Sequence, residues 1–219
     1  MTESSRAAGA FGEKLRQVRI VPILTLEQVG HAVPLARALV AGGLPILEVK
    51  LRTPAAVEAA RTIMAEVPGA VVGFGTLLGP RDVELAVEAG VRFAVSPGAT
   101  PALLAAAAAV PLPFLPGVGS ASEAMQAREA GFTLQKFFPA EAAGGTGFLK
   151  GIAGPLPDLA FCPTGGIGPG NLRDYLALPN VAAVGGSWLA SAAEVAEGAW
   201  ERIAGRAAEA RRLAGGTKA

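Results

Sequence analysis

Lys136 stands in the run Leu134-Gln135-Lys136-Phe137-Phe138-Pro139-Ala140-Glu141, an amine among apolar and aromatic neighbours at what reads as a strand end. A neutral lysine attacks a carbonyl carbon to form a Schiff base, and burial together with nearby positive charge favours the neutral amine. The plain alternative is a strand-end lysine whose stem carries its ammonium out to water. A second group of chemistry-bearing residues is Glu48, Lys50 and Arg52, spaced by two, so that in extended chain all three project to one face. Glu48, inside the apolar run Ile46-Leu47-Glu48-Val49, is a candidate general acid and base. Its competing use is a salt bridge to Arg52, an expensive device at so apolar a position.

Two glycine pairs, Thr164-Gly165-Gly166-Ile167 and Gly185-Gly186-Ser187-Trp188, read as turns after late strands. A glycine pair at such a turn is more often a tight connection, but two pairs at adjacent final strands favour an anion site built from backbone amides and a helix N-terminus. The GxxxxGK[ST] loop of nucleotide hydrolases is absent. Cys162 is the only cysteine and lies in an apolar strand-like run, so it reads as a small core residue. His31 is the only histidine, which excludes a histidine-rich metal site and argues against metal chemistry.

The elements that position these groups follow a repeated βα rhythm, short apolar runs about every twenty to twenty-six residues with alanine-rich helical segments between them. Eight strands are expected: Ile20–Leu24, Ile46–Lys50, Val71–Thr76, Phe93–Ser96, Phe114–Gly117, Leu134–Phe138, Ala160–Thr164 and Val181–Gly185. Thr53-Pro54 and Thr100-Pro101 read as caps before an N1 proline, Ser120 with Glu123 as a capping box, and Gly42, Gly90 and Gly131 as left-handed C-caps. Eight such units in 219 residues, with no linker, favour a single-domain α/β fold, a (β/α)8 TIM barrel, over a doubly wound sheet. An extra N-terminal helix from about Gly9 to Val18 would close the barrel bottom, with residues 1–8 and 214–219 frayed. In such a barrel the second and sixth strands contribute to the same inward layers, so Glu48 or Lys50 can meet Lys136. An ammonium at Lys50 would then add positive charge beside the reactive amine.

Nineteen Lys and Arg balance eighteen Asp and Glu, with no basic stripe, so a small molecule is expected as partner rather than nucleic acid. The composition is 51% hydrophobic and Phe93–Ser122 carries no charge, yet Pro97, Pro101, Pro111, Pro113 and Pro116 interrupt any helix there that would span a bilayer. The opening Met1-Thr-Glu-Ser-Ser-Arg lacks the apolar core of a signal peptide, so no membrane and a cytoplasmic location are expected.

Taken together, Val21-Pro22-Ile23, Leu47-Glu48-Val49 with Leu51-Arg52-Thr53, Gly73-Phe74-Gly75-Thr76, Val95-Ser96-Pro97-Gly98, Leu115-Pro116-Gly117-Val118, Lys136-Phe137-Phe138-Pro139-Ala140-Glu141, Phe161-Cys162-Pro163-Thr164-Gly165-Gly166-Ile167 and Val184-Gly185-Gly186-Ser187-Trp188-Leu189 resemble the bacterial 2-keto-3-deoxy-6-phosphogluconate (KDPG) aldolases. The chain is also similar to the bifunctional forms that cleave 4-hydroxy-2-oxoglutarate. The resemblance implies a barrel assembled as a homotrimer, working without metal or other cofactor on a phosphorylated keto acid. It implies Lys136 as the Schiff-base lysine, Glu48 as the acid/base, Arg52 and Thr76 as binders of the pyruvyl carboxylate, and Pro97 and Phe138 as packing around it. Thr164, Gly165, Gly166, Gly185, Gly186 and Ser187 would hold the hydroxyl and phosphate end. Lys50 departs from the family's usual uncharged residue: either it faces the site or strand two bends to release it. The competing functions are a 2-keto-3-deoxy-6-phosphogalactonate aldolase, from which the Thr164 hydroxyl argues away, and a non-catalytic oligomeric barrel. A phosphopentose epimerase would want metal-binding histidines.

Overall fold

The structure, a computed structural model, describes residues 3–215. Its strands are β1 (Ile20–Leu24), β2 (Ile46–Lys50), β3 (Val71–Gly75), β4 (Phe93–Val95), β5 (Phe114–Leu115), β6 (Gly117–Val118), β7 (Leu134–Phe137), β8 (Ala160–Pro163) and β9 (Val184–Gly186). The helices are α1 (Glu3–Val18), α2 (Ala32–Ala41), α3 (Ala56–Glu66), α4 (Pro80–Ala89), α5 (Pro101–Ala108), α6 (Ala121–Glu129), α7 (Gly145–Ala153), α8 (Leu172–Leu176), α9 (Ala192–Ala196) and α10 (Trp200–Leu213). The expected extra helix is present as α1, and it begins at Glu3, so residues 3–8 continue it instead of fraying. The fraying expected at 1–2 and 216–219 lies outside the described residues.

Every pairing is parallel. One sheet runs β5-β4-β3-β2-β1-β9 and curls, and a second runs β6-β7-β8. Apart from β9 returning beside β1, neighbours follow chain order, without the reversal a doubly wound sheet requires. The fifth expected strand is divided at Pro116: β5 pairs with β4, β6 pairs with β7, and proline contributes no N–H to the ladder. The Pro116 carbonyl still accepts the Lys136 N–H at 2.9 Å. On the other side of the second sheet, bridges join Phe161 to Val181 and Thr164 to Gly185.

Strand residues are buried on both faces, which is why these runs read as continuously apolar rather than alternating. Leu47, Val49, Val72 and Phe74 pack outward against the helices. Ile46, Phe93, Val95, Leu115, Leu134 and Cys162 form a separate inner cluster with Phe11 and Leu15 of α1. Phe11 stacks on Phe93 with ring centroids 4.7 Å apart, so α1 supplies the floor of the curl.

Local signals held in part. Thr100 caps α5 by accepting the Leu103 N–H, and Gly90 ends α4 in the left-handed region at φ 74°. Thr53 does not cap a helix: its hydroxyl donates to the Leu26 carbonyl, tying the β2 turn to the β1 turn, and α3 starts only at Ala56. Ser120 accepts from the Glu123 N–H, but Glu123 returns to the Gly119 N–H at 2.6 Å rather than to the cap residue, so the box is only half formed. Gly42 is not left-handed; Gly43 is, at φ 83°.

Candidate active site

β2 and β7 face each other across the curl and bring one carboxylate and one amine together. Lys136 Nζ donates to Glu48 Oε1 at 3.3 Å, with Lys136 only 7% and Glu48 only 4% exposed. The competing use of Glu48, a salt bridge to Arg52, is not found: Glu48 pairs with Lys136, as the shared inward layer of β2 and β7 leads one to expect. Nor does Lys136 run out to solvent. Its ammonium also lies 5.4 Å from the centroid of the Phe138 ring, within cation–π range.

The packing that aims Glu48 is visible at Gly75, on the neighbouring strand. A Cβ there would lie 2.1 Å from Glu48 Oε1, so only glycine lets the carboxylate cross β3 toward Lys136. Immediately after Gly75, Thr76 holds φ 69°, a left-handed conformation rare for a β-branched residue and the kind of local strain that clusters at ligand sites. Thr76 is half-buried. Arg52 is exposed in the turn after β2, and among the described residues its side chain takes part in no ion pair. Pro97 and Phe138 line a common cleft of about 350 Å³ with Gly98, Gly117, Ser120 and Glu123.

The two glycine pairs turn out unlike each other. Gly165 and Gly166 form a true turn after β8, at φ 103° and 79°, and buried Thr164 precedes them. Gly185 and Gly186 are instead strand residues of β9, registered with Val21 and Pro22 of β1. Their lack of side chains serves packing: a Cβ on Gly186 would collide with the Trp188 ring at 1.7 Å. Only Ser187, exposed, stands beyond that strand end.

Cys162 sits beneath the ion pair, paired in register with Lys136. Burial, reinforced by the Glu48 charge, pushes its thiol up to about 12, so it remains a protonated core group and no nucleophile. Among the described residues no three His, Cys, Asp or Glu side chains cluster as a metal site would need. Lys50 does face the site. It shares the inward parity of Glu48, is half-buried, and its ammonium is disfavoured by burial, then by Arg52 and Lys136, with Glu48 alone opposing.

Two groups carry structure that the sequence did not advertise. Ser96, fully buried at the end of β4, accepts the Gly117 N–H at 3.2 Å and stitches β4 to β6 across the Pro116 break. Glu141, the last residue of the Lys136 motif, accepts a hydrogen bond from Tyr175, the chain's one tyrosine and fully buried. The Glu141 N–H donates to the Gly165 carbonyl at 3.1 Å, so this contact braces the glycine turn against the loop after Lys136.

A sequence model described as Aldolase: KDPG and KHG aldolase matches residues 11–205. The KHG/KDPG aldolase of Escherichia coli is 50% identical over 191 residues, 87% of this chain and 90% of that protein. Among solved structures, the KDPG aldolase of Legionella pneumophila, with pyruvate captured at low pH as a covalent carbinolamine, superposes at TM-score 0.87 with 41% identity, covering 90% of this chain and 97% of that one. The 2-keto-3-deoxy-6-phosphogluconate aldolase of Zymomonas mobilis with 3-phosphoglycerate gives TM-score 0.85 and 45% identity over 91% and 93% of the two chains. A family match across this length, with curated relatives at half identity, places the chain in the KDPG and KHG aldolase family.

Proposed function

We propose that the chain is a class I aldolase that cleaves 2-keto-3-deoxy-6-phosphogluconate to pyruvate and glyceraldehyde 3-phosphate, and 4-hydroxy-2-oxoglutarate to pyruvate and glyoxylate. The observation that carries this reading is the buried Lys136–Glu48 contact at 3.3 Å. The carbinolamine in the Legionella relative and the double name of the Escherichia coli relative support it.

The cycle starts when the neutral Lys136 amine attacks the C2 ketone. The carbinolamine loses water and becomes a protonated imine, which draws electrons from the C3–C4 bond. Glu48 takes the C4 hydroxyl proton as that bond breaks; the aldehyde leaves and the bonding pair becomes the enamine. Glu48 then returns a proton to C3, and water hydrolyses the imine to release pyruvate and the free amine. One carboxylate serves both transfers because it lies against the nitrogen on which the substrate is built. Arg52 and Thr76 hold the substrate carboxylate and so fix the ketone against the amine, with Pro97 and Phe138 as the wall. Thr164 meets the C4 hydroxyl, and Gly165, Gly166 and Ser187 hold the phosphate with their backbone amides and hydroxyl. Gly185 and Gly186 contribute by keeping β9 thin beneath them.

In this reading the two parallel sheets are one (β/α)8 barrel, the Pro116 break and the Thr164–Gly185 bridge marking the two seams. The chain is a single domain over residues 1–219, assembles as a homotrimer and works in the cytoplasm; no helix among the described residues is long and apolar enough to cross a membrane. Pyruvate with borohydride tests the mechanism. One reduced pyruvyl group is expected per chain, and peptide mapping is expected to find it on Lys136 rather than Lys14, Lys50, Lys150 or Lys218. Labelling confined to another lysine would overturn the mechanism. Relative rates on the gluconate and galactonate epimers test the role of Thr164.

A further inference from the structure

β2 alternates strictly. Ile46 belongs to the inner cluster, Leu47 and Val49 to the outer one, and Glu48 reaches inward to Lys136, so Lys50 completes the inward row at the rim of the curl. Its partner in register is Gly75, which has no side chain, and the next residue is the strained Thr76. The Glu48 carboxylate crosses over Gly75, so Lys50 stands at the rim above a polar site and beside a strained polar residue.

The charges facing this spot are few. β2 contributes Glu48 and Lys50, the turn after it Arg52, β7 contributes Lys136, and β8 contributes only the protonated Cys162. Three cations thus share one carboxylate, and that carboxylate is engaged by Lys136. No carboxylate approaches Lys50 within 4.0 Å among the described residues, so a half-buried ammonium has no ion-pair partner of its own, with Arg52 opposing it more strongly than the Glu48 charge supports it. Such an arrangement is unfavourable when empty and is relieved by an incoming anion.

We infer that Lys50 is a specificity-determining residue that binds the 2-oxo acid carboxylate of the substrate, a second cation acting beside Arg52. This rests on the aldolase reading above. Its place at the end of β2, two residues before Arg52 and in register with Gly75, the neighbour of Thr76, puts it at the carboxylate end of the substrate and away from the phosphate end after β8. The chemical consequence is preference for an ionised carboxylate next to the ketone. Because the same carboxylate is present in every 2-oxo acid, Lys50 acts equally on phosphorylated and non-phosphorylated substrates.

The test compares the full-length wild type with Lys50→Met, Lys50→Thr and Lys50→Arg, using borohydride trapping of pyruvate and of its neutral methyl ester. Losing one charge-assisted hydrogen bond is expected to raise the half-saturating pyruvate concentration roughly 10- to 100-fold in the Met and Thr variants. The methyl ester, with no charge to lose, is expected to trap alike in all four proteins, kcat for cleavage to stay within a few-fold, and Lys50→Arg to recover most of the pyruvate affinity. A structural role would weaken both probes together, and that result would overturn the inference. So would unchanged pyruvate saturation in both neutral variants, or a fall in kcat at constant KM. If the wild type formed no pyruvate adduct on Lys136, the aldolase reading itself would fail, an outcome read before any variant is compared.

Discussion

Two ion pairs in this protein have opposite designs. Glu194 and Arg206, joining α9 to α10, are saturated: Arg206 donates to both Glu194 oxygens, with 2.7 Å for one of the contacts, and the Ser191 hydroxyl adds another at 2.8 Å. Ser191 and Glu194 also form a complete capping box at the start of α9. Glu48 and Lys136 are held by one contact of 3.3 Å, with little solvent and, among the described residues, no further side-chain hydrogen bond for either. A saturated pair cannot exchange partners without loss; a single-contact pair in a dry, preshaped site can hand its proton and its nitrogen to a substrate. The difference teaches that the number of partners around a carboxylate, more than burial alone, sets the α9–α10 staple apart from the pair proposed to do the chemistry.

The sharpest way to break the comparison is to remove one member of each pair. Lys136→Ala is expected to abolish cleavage and borohydride trapping. Because it leaves a buried carboxylate without its counter-charge, it is also expected to lower stability by about 3–5 kcal/mol, measurable by urea unfolding. Arg206→Ala is expected to leave kcat unchanged. Activity lost equally in both variants would erase the distinction.

Next in size is Glu48→Gln. Imine formation is expected to remain measurable, while cleavage and exchange of pyruvate C3 protons slow by roughly 10²–10⁴, the range for lost acid/base help. Wild-type exchange in this variant would assign the C3 proton to another group. Gly75→Ala follows. Its Cβ would lie 2.1 Å from Glu48 Oε1, so the carboxylate must shift by an ångström or more, and a loss of about 10²-fold in kcat is expected from misplacement alone. Pyruvate trapping should survive, since Lys136 does not move.

Much of this geometry was legible because it is written in short-range pattern. Parallel strands buried on both faces make apolar runs that stop at Gly, Pro and Thr, and the spacing of Glu48 and Lys50 fixes a shared face as soon as β2 is extended, whereas Arg52 lies beyond the strand in a turn, its N–H donating to the Lys50 carbonyl at 2.8 Å. What stayed hidden depends on contacts distant in the chain. Thr53 looks like a helix cap until Leu26 offers a carbonyl, 27 residues away, and Glu141 has no evident use until Tyr175 arrives 34 residues later. The second glycine pair misled for a related reason. A glycine in a turn and a glycine thinned for a neighbouring Trp188 ring look identical in sequence, and only the β1–β9 register separates them. Lys50 stood between two possibilities that parity alone could not decide, since a bend after Val49 would have turned it out; the strand stays regular through Lys50.

The smallest effects test the staple. Ser191→Ala removes the N-cap of α9 and is expected to lower stability by about 1 kcal/mol with activity intact. The pH dependence then asks whether Glu194 is held as tightly as its partners imply. The Arg206 guanidinium first, and the Ser191 hydroxyl next, hold its carboxyl well below the ordinary 4.5, at about 2. A carboxyl depressed in the folded state binds its proton more readily in the unfolded chain, so its contribution is fully present above about pH 4.5 and is lost as pH falls toward about 2. Wild type is therefore expected to lose more stability than Glu194→Gln between pH 5 and pH 3, the two unfolding curves converging as the acid limit is approached. Parallel curves over that window would mean that the Glu194–Arg206 clasp is open in solution and that the contrast with Glu48–Lys136 is one of exposure, not of partner number.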